Sequence, residues 1–174
     1  MNKYDKARYH QIKRLVNSTI SSMGSYSERA VNAIMMIIAH ESKHGTLREQ
    51  VISFDPQVDL DYKESGKTYA AGIVQMERPT HDDLWANSDN IHRDYIKIFC
   101  DGLAAQYTMK ACTFERLIYD DKYSIFMARK KLHMITEVIP SDLKEMSEYL
   151  VKYYNAGGSA KPGDYLSAYL KWTE

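Results

Sequence analysis

The segment over residues 28–43 constrains this chain most, because as a helix it would be apolar on nearly every side. Its apolar members are Ala30, Val31, Ala33, Ile34, Met35, Met36, Ile37, Ile38 and Ala39. A helix without a polar face cannot lie on a surface, so the segment is predicted to be a central buried helix. Ser25 and Glu28 have the spacing of a capping box for its start, and Gly45 is well placed to stop it.

The rest of the chain is predicted to be mostly helical as well. The further predicted helices cover residues 4–22, a short stretch from Thr80 through Trp85, Ile91–Lys110, Lys122–Val138, Ser141 through Tyr153, and a last one from Pro162-Gly163 through Trp172. Residues 45–70 are predicted to be a long loop with turns at Asp55-Pro56 and Ser65-Gly66. The predicted fold is therefore one mainly α domain over 1–174, with at most a small β-hairpin in the 45–75 region.

Composition argues against several classes of partner. Lys+Arg and Asp+Glu both number 23, and this balance gives no support for nucleic-acid binding. The longest apolar stretch, Ala33–Ala39, is too short to span a membrane, and Met1–Arg14 lacks the apolar run of a signal peptide. We therefore expect a chain that is made in the cytoplasm and is not inserted into a membrane. Cys100 and Cys112 are expected to be two free, buried thiols.

The motif His40-Glu41-Ser42-Lys43-His44-Gly45 ends the apolar segment and allows two interpretations. If the helix continued, His40 and His44 would share one face and could bind one zinc ion, with Glu41 as the base of a metallopeptidase and Glu64 as a third ligand. The charged Lys43 between the histidines and the helix-ending Gly45 weigh against this interpretation. No metal and no cofactor are therefore expected, although the zinc alternative stays open.

The second interpretation makes Glu41 a general acid. Glu41 ends a row of apolar residues at helical spacing, Ala30, Ile34, Ile37 and Ile38. Removal from water disfavours a charged carboxylate and raises its pKa. A raised pKa is what a carboxyl group needs if it is to protonate a glycosidic oxygen near neutral pH.

Three segments in order resemble a known family. Glu41-Ser42 is followed by Gly72-Ile73-Val74-Gln75-Met76 and then by Tyr154-Asn155-Ala156-Gly157. This order resembles the soluble (SLT-type) lytic transglycosylases of the lysozyme-like superfamily, which carry Glu-Ser, Gly-Leu-Met-Gln and Ala-Tyr-Asn-Ala-Gly. The chain departs from that pattern at Ile73 and Val74 and has Tyr153 where alanine is usual. The resemblance covers residues 28–158 and implies a lysozyme-like helical fold of the goose or SLT type.

The resemblance also implies a reaction and a set of roles. Glu41 would protonate the oxygen between N-acetylmuramic acid and N-acetylglucosamine in peptidoglycan and then deprotonate the muramic C6 hydroxyl, which gives a 1,6-anhydro product. Ser42 and Tyr154 would help to place the acid, whereas Gln75, Met76 and Asn155 would contact the sugar or shape the cleft. Gly72 and Gly157 would allow close approach of the backbone.

Two further alternatives stay open. The loop aspartates Asp55, Asp59 and Asp61 could supply a second carboxylate that activates water, which would make the enzyme a hydrolytic, inverting muramidase. A lysozyme-fold binding protein without activity is the other. The expected partner is the glycan strand of the periplasmic or cell-wall peptidoglycan. The protein is expected to be a monomer. It would reach the wall either as a phage endolysin through a holin pore or as part of a virion.

Overall fold

A computed structural model describes residues 3–65, 69–100 and 112–174 of the chain. The described residues are mainly helical, which confirms the predicted mainly α class. Its helices are α1 (Lys3–Ser22), α2 (Glu28–Glu41), α3 (Pro56–Glu64), α4 (Arg78–Asn87), α5 (Ile91–Phe99), α6 (Arg116–Tyr119), α7 (Asp121–His133), α8 (Leu143–Tyr149) and α9 (Pro162–Thr173). A π-helical turn, Leu150–Tyr154, continues directly from α8.

The predicted central helix is confirmed. Every residue of α2 from Val31 to Ala39 except Asn32 is buried, and α1, α7 and α9 pack around it. Its start differs from the prediction, because Ser27 is the N-cap residue and makes no side-chain cap hydrogen bond. The capping box predicted from Ser25 and Glu28 is therefore wrong.

Helix ends account for most other differences from the predicted elements. α2 ends at Glu41 and α7 ends at His133, before the predicted Lys43 and Val138. α5 ends at Phe99 with Cys100 as its C-cap residue, and residues 101–110 of the predicted range lie outside the described residues. The short α6 was not predicted.

The region predicted to be a loop contains a helix. Pro56 occupies the first turn of α3, and the Asp55 side chain accepts hydrogen bonds from the backbone N–H groups of Gln57 and Val58 at 2.9 and 3.4 Å. Asp-Pro here starts a helix and does not make an isolated turn, as the N-cap and first-turn preferences of these residues allow. The prediction of a long loop over 45–70 is therefore wrong where α3 lies.

One small antiparallel hairpin joins β1 (Ala70–Ala71) to β2 (Met76–Glu77), with Ala70 opposite Glu77 and Ala71 opposite Met76. It begins within the predicted 45–75 region and ends just beyond it. A single β-bridge between Glu49 and Ala71 ties the segment after α2 to this hairpin. The hairpin is therefore fixed to the chain that leaves the C-terminal end of α2.

Within the described residues, no helix is both long and apolar enough to cross a lipid bilayer. Cys100 is buried and Cys112 is half-buried, and neither is joined in a disulfide within the described residues. The prediction of two reduced thiols is confirmed, whereas the prediction that both are buried holds for Cys100 alone.

Candidate functional site

An open cavity of about 700 Å³ lies at the C-terminal end of α2. Its walls come from the end of α2, the segment before α3, the hairpin, the loop after the π turn and the start of α9. The lining residues are His40, Glu41, Lys43, Leu47, Gln50, Val51, Ile52, Ser53, Phe54, Ala70, Gln75, Glu77, Asn155, Gly158, Ser159, Ala160 and Asp164. Three of the predicted site residues, Glu41, Gln75 and Asn155, are thus brought to one cavity.

Glu41 is the last residue of α2 and is only partly exposed. Burial raises the pKa of its carboxyl group above the ordinary value, and this outweighs three influences that lower it. Those influences are a hydrogen bond from Tyr165 and the electrostatic effects of the neighbouring His40 and Lys131. The predicted desolvated acid is therefore present at the cavity wall, since a buried carboxyl group holds its proton to higher pH.

Tyr165 positions this carboxyl group. Its hydroxyl donates to Oε1 of Glu41, its side chain is fully buried in α9, and the His40 ring lies against it with a centroid separation of 4.2 Å. Burial and the neighbouring Glu41 charge raise the pKa of Tyr165, so the hydroxyl keeps its proton and acts as a donor. Sequence reasoning missed Tyr165, since nothing in the sequence links a residue of the last helix to Glu41.

Ser42 is buried, and its hydroxyl hydrogen-bonds to backbone groups at the end of α2. Its Oγ donates to the Ile38 carbonyl at 2.9 Å and accepts from the Gly45 N–H at 3.1 Å. These bonds close the C-terminal end of α2 and satisfy carbonyl and amide groups that a helix end leaves free. Ser42 therefore fixes the end of α2 and does not face the cavity.

The helical geometry that the zinc interpretation required is absent. α2 has ended at Glu41, and Lys43 and His44 have φ angles of 48° and 62°, in the left-handed region. His44 stacks on Trp172 and its Nε2 lies 3.0 Å from the Ala168 carbonyl, while the predicted third ligand, Glu64, is exposed at the end of α3. In the described part of the chain, no group of three His, Cys, Asp or Glu side chains has the geometry to hold a metal ion.

The second motif forms the turn of the hairpin. Gly72 has φ +76°, and a Cβ atom there would lie 2.4 Å from Ser124 Oγ and 2.7 Å from the Leu117 carbonyl oxygen. Gln75, also at a positive φ, donates from Nε2 to the Gly72 carbonyl at 2.8 Å and lines the cavity. Met76 is buried in β2 and is not among the cavity-lining residues, so its expected contact with substrate is not supported.

The third motif lies in and after the π turn. The Tyr154 hydroxyl donates to the Val74 carbonyl at 3.1 Å, whereas Lys131 donates from Nζ to the Tyr154 carbonyl at 2.6 Å. Tyr154 thus joins the π turn to the hairpin, and the tyrosine that donates to Glu41 is Tyr165. Asn155 lines the cavity, and its side chain packs so closely on Gly158 that a Cβ there would lie 2.1 Å from Oδ1. At Gly157, no atom of the described residues lies within 4 Å of where a Cβ would be, so the glycine is not required there by close packing within the described protein.

The three loop aspartates stabilise the α3 region and do not line the cavity. Asp55 caps α3, Asp61 accepts from Gln57 Nε2 at 2.7 Å, and Asp59 pairs with Lys63 at 2.8 Å. The carboxylates that share the cavity wall with Glu41 are the exposed Glu77 and Asp164, which sequence reasoning did not single out.

Comparison of the chain with protein-family models, curated proteins and solved structures finds no match.

Proposed function

We propose that this protein cleaves the β-1,4 bond between N-acetylmuramic acid and N-acetylglucosamine in peptidoglycan, as a lytic transglycosylase of lysozyme-like fold. One observation carries the proposal. A carboxyl group with a raised pKa, Glu41, stands at the end of a buried helix and on the wall of an open cavity that Gln75 and Asn155 also line. These are the positions at which the three sequence motifs place an acid and its neighbours.

The cavity has features that suit a saccharide. Its volume of about 700 Å³ is in the range of ligand-binding clefts. Amide side chains from Gln50, Gln75 and Asn155 offer donors and acceptors for sugar hydroxyl and acetamido groups. Phe54 lines the same cavity with a fully exposed ring, which offers an apolar face for the carbon side of a sugar ring. The glycan would thus contact the α3 side and the α9 side of the cavity together.

The chemistry needs one residue that first gives and then takes a proton. Glu41 transfers its proton to the glycosidic oxygen as the C1–O bond breaks, and the N-acetylglucosamine side leaves as an alcohol. The muramic C6 hydroxyl then forms a bond to C1, and the Glu41 carboxylate accepts the hydroxyl proton, which restores the acid. The Tyr165 hydroxyl, together with the neighbouring Lys131 and His40, stabilises the carboxylate form between the two transfers.

Hydrolysis of the same bond is the second candidate, and one observation favours it. Glu77 and Asp164 line the cavity with Glu41, so carboxylates that could activate water are present there. Asp164 already accepts a hydrogen bond from the Lys161 backbone N–H at 2.9 Å, which makes Glu77 the better candidate. The aspartates first considered for this role, Asp55, Asp59 and Asp61, are engaged around α3 and do not line the cavity. A hydrolase would therefore use Glu77 before Asp164.

The first test is Glu41→Gln on purified peptidoglycan. The amide cannot donate an acidic proton, so we expect turbidity clearing to fall by at least about a hundredfold, the usual scale of a general acid's contribution. Asp61→Asn makes the same chemical change at an exposed site and should retain full activity. Persistent activity of Glu41→Gln would contradict the assigned role.

Mass spectrometry of the released fragments separates the two reactions. Muramic ends that are one water lighter than reducing ends identify a transglycosylase, whereas reducing ends identify a hydrolase. In the second case, Glu77→Gln and Asp164→Asn would show which carboxylate activates water. Because peptidoglycan lies outside the cytoplasmic membrane, the proposal includes delivery through a holin pore or with a phage particle.

A further inference from the structure

Arg129, in the middle of α7, is a buried cation that has no counter-ion among the described residues. Its side chain is 8% exposed, and its hydrogen bond in the described structure runs from Nη2 to the Ser25 carbonyl at 3.3 Å. Nε is buried and has no partner, and no carboxylate of the described residues lies within ion-pair distance. Burial accordingly lowers the pKa of Arg129. A buried charge without a partner is costly, so the absence of an anion here requires an explanation.

A second cavity, of about 360 Å³, adjoins Arg129. Its lining includes Arg29 from the first turn of α2 and His133 from the end of α7, together with Ser27, which is the N-cap residue of α2. The Ser27 side chain makes no cap hydrogen bond, so the first N–H groups of α2 are not satisfied by it. The N-terminus of a helix attracts anions through these N–H groups and the helix dipole. Ser25 Oγ, beside the carbonyl that Arg129 contacts, is a second buried polar atom without a partner.

Other charged side chains near the cavity have partners of their own. Lys130 pairs with Asp94 at 2.6 Å, and Glu28, in the first turn of α2, accepts a hydrogen bond from Tyr26. Glu137 lines the cavity, but its carboxylate accepts from Thr136 at 3.1 Å, and no ion pair within the described residues joins it to Arg29 or Arg129. Arg129, Arg29 and the N-cap residue of α2 therefore line one cavity, and Glu137, the acidic lining residue within the described part of the chain, is paired with neither arginine.

We propose that this cavity binds a phosphate group, held by the guanidinium groups of Arg129 and Arg29 and by the N-terminal N–H groups of α2. Guanidinium groups suit such a ligand because their N–H donors match the oxygens of phosphate in pairs. The site lies at the opposite end of α2 from Glu41, about 20 Å away along a 14-residue helix. The inference stands independently of the glycan-cleaving reaction.

The test compares inorganic phosphate with chloride at equal ionic strength, because general screening acts in both buffers. A ligand that binds only the folded protein raises its Tm, and we expect a rise of several degrees at about a hundredfold excess of phosphate over Kd. Arg129→Met should lose this rise. It should also be at least as stable as the parent protein in chloride, because it removes an unpaired buried charge. Arg8→Met, at a partly exposed arginine of α1 that pairs with Asp5, makes the same change and should keep the rise.

The titration of His133 in the parent protein gives a second measurement, which needs no substituted variant. Partial desolvation, followed by the charges of Arg129 and Lys130, lowers the pKa of His133 to about 4, and Asp94 opposes this effect. Arg29 and Glu137 are the other charged side chains around the cavity. A bound phosphate should raise the pKa of His133, as followed by NMR titration in phosphate and in chloride. Equal Tm values in the two salts, an unmoved His133 titration, or phosphate stabilisation that persists in Arg129→Met would each overturn the proposal.

Discussion

At the scale of single residues, the hydrogen bond between Tyr165 and Glu41 joins side chains 124 positions apart in the chain. Glu41 could be predicted from sequence because its environment is local, an apolar row on its own helix. Tyr165 could not, because its contact depends on how α9 packs against α2. The same limit explains Tyr154: the motif predicted a functional tyrosine, but its hydroxyl binds the Val74 carbonyl.

Tyr165→Phe should change the pH dependence of catalysis. Burial is the main cause of the raised pKa of Glu41, and the Tyr165 hydrogen bond partly offsets it. Removing that bond should raise the pKa of Glu41 further. A general acid is active while protonated, so the fall of kcat/KM on the alkaline side should move to higher pH.

Tyr154→Phe is the matched control for Tyr165→Phe. It removes a buried hydroxyl that donates to the Val74 carbonyl and should cost about 1 kcal/mol of stability while the alkaline limb of kcat/KM stays in place. If the two variants had identical pH profiles, the assignment of Tyr165 as the positioning residue would fail.

At the scale of elements, local signals predicted the helices well and their ends less well. The apolar pattern of α2 and the spacing of α1 indicate helices whatever surrounds them. The end of α2 at Glu41 depends on the Ser42 hydrogen bonds and on the left-handed Lys43 and His44, and such choices among nearby turn geometries are weakly encoded. α3 was missed because Asp55-Pro56 suits either a turn or a helix start.

The hairpin turn offers a prediction at this scale. Gly72 and Gly157 both have positive φ, but only a Cβ at Gly72 would meet other atoms. Gly72→Ala should therefore lower the free energy of unfolding by about 3 kcal/mol or more, from strain and overlap together. Gly157→Ala should cost about 1–2 kcal/mol from backbone strain alone. Urea denaturation measures both, and equal losses would show that the contacts with Ser124 and Leu117 are easily relieved.

At the scale of the whole molecule, the raised pKa of Glu41 couples the site to stability. In the unfolded chain the carboxyl group ionises at its ordinary, lower pKa. The contribution of protonated Glu41 is therefore fully present below the unfolded pKa and is lost as pH rises through the folded pKa.

Glu41→Gln should remove this dependence. We expect the variant to have a higher Tm than the parent protein at neutral pH. The difference in Tm should shrink as the pH falls towards the ordinary pKa of a glutamate side chain. Thermal denaturation across this pH range measures the difference. A Tm gap that is constant with pH would show that the carboxyl group is not desolvated in the folded protein.

The π turn at Leu150–Tyr154 makes its segment tolerant of a one-residue change in length. A π turn holds one residue more than an α turn, so the loss of one residue can be absorbed by a return to α geometry. A one-residue deletion within the turn that spares Tyr154 should therefore leave Asn155 at the cavity wall. A one-residue deletion within the α-helical turns of α8 would instead rotate everything that follows by about 100° about the helix axis.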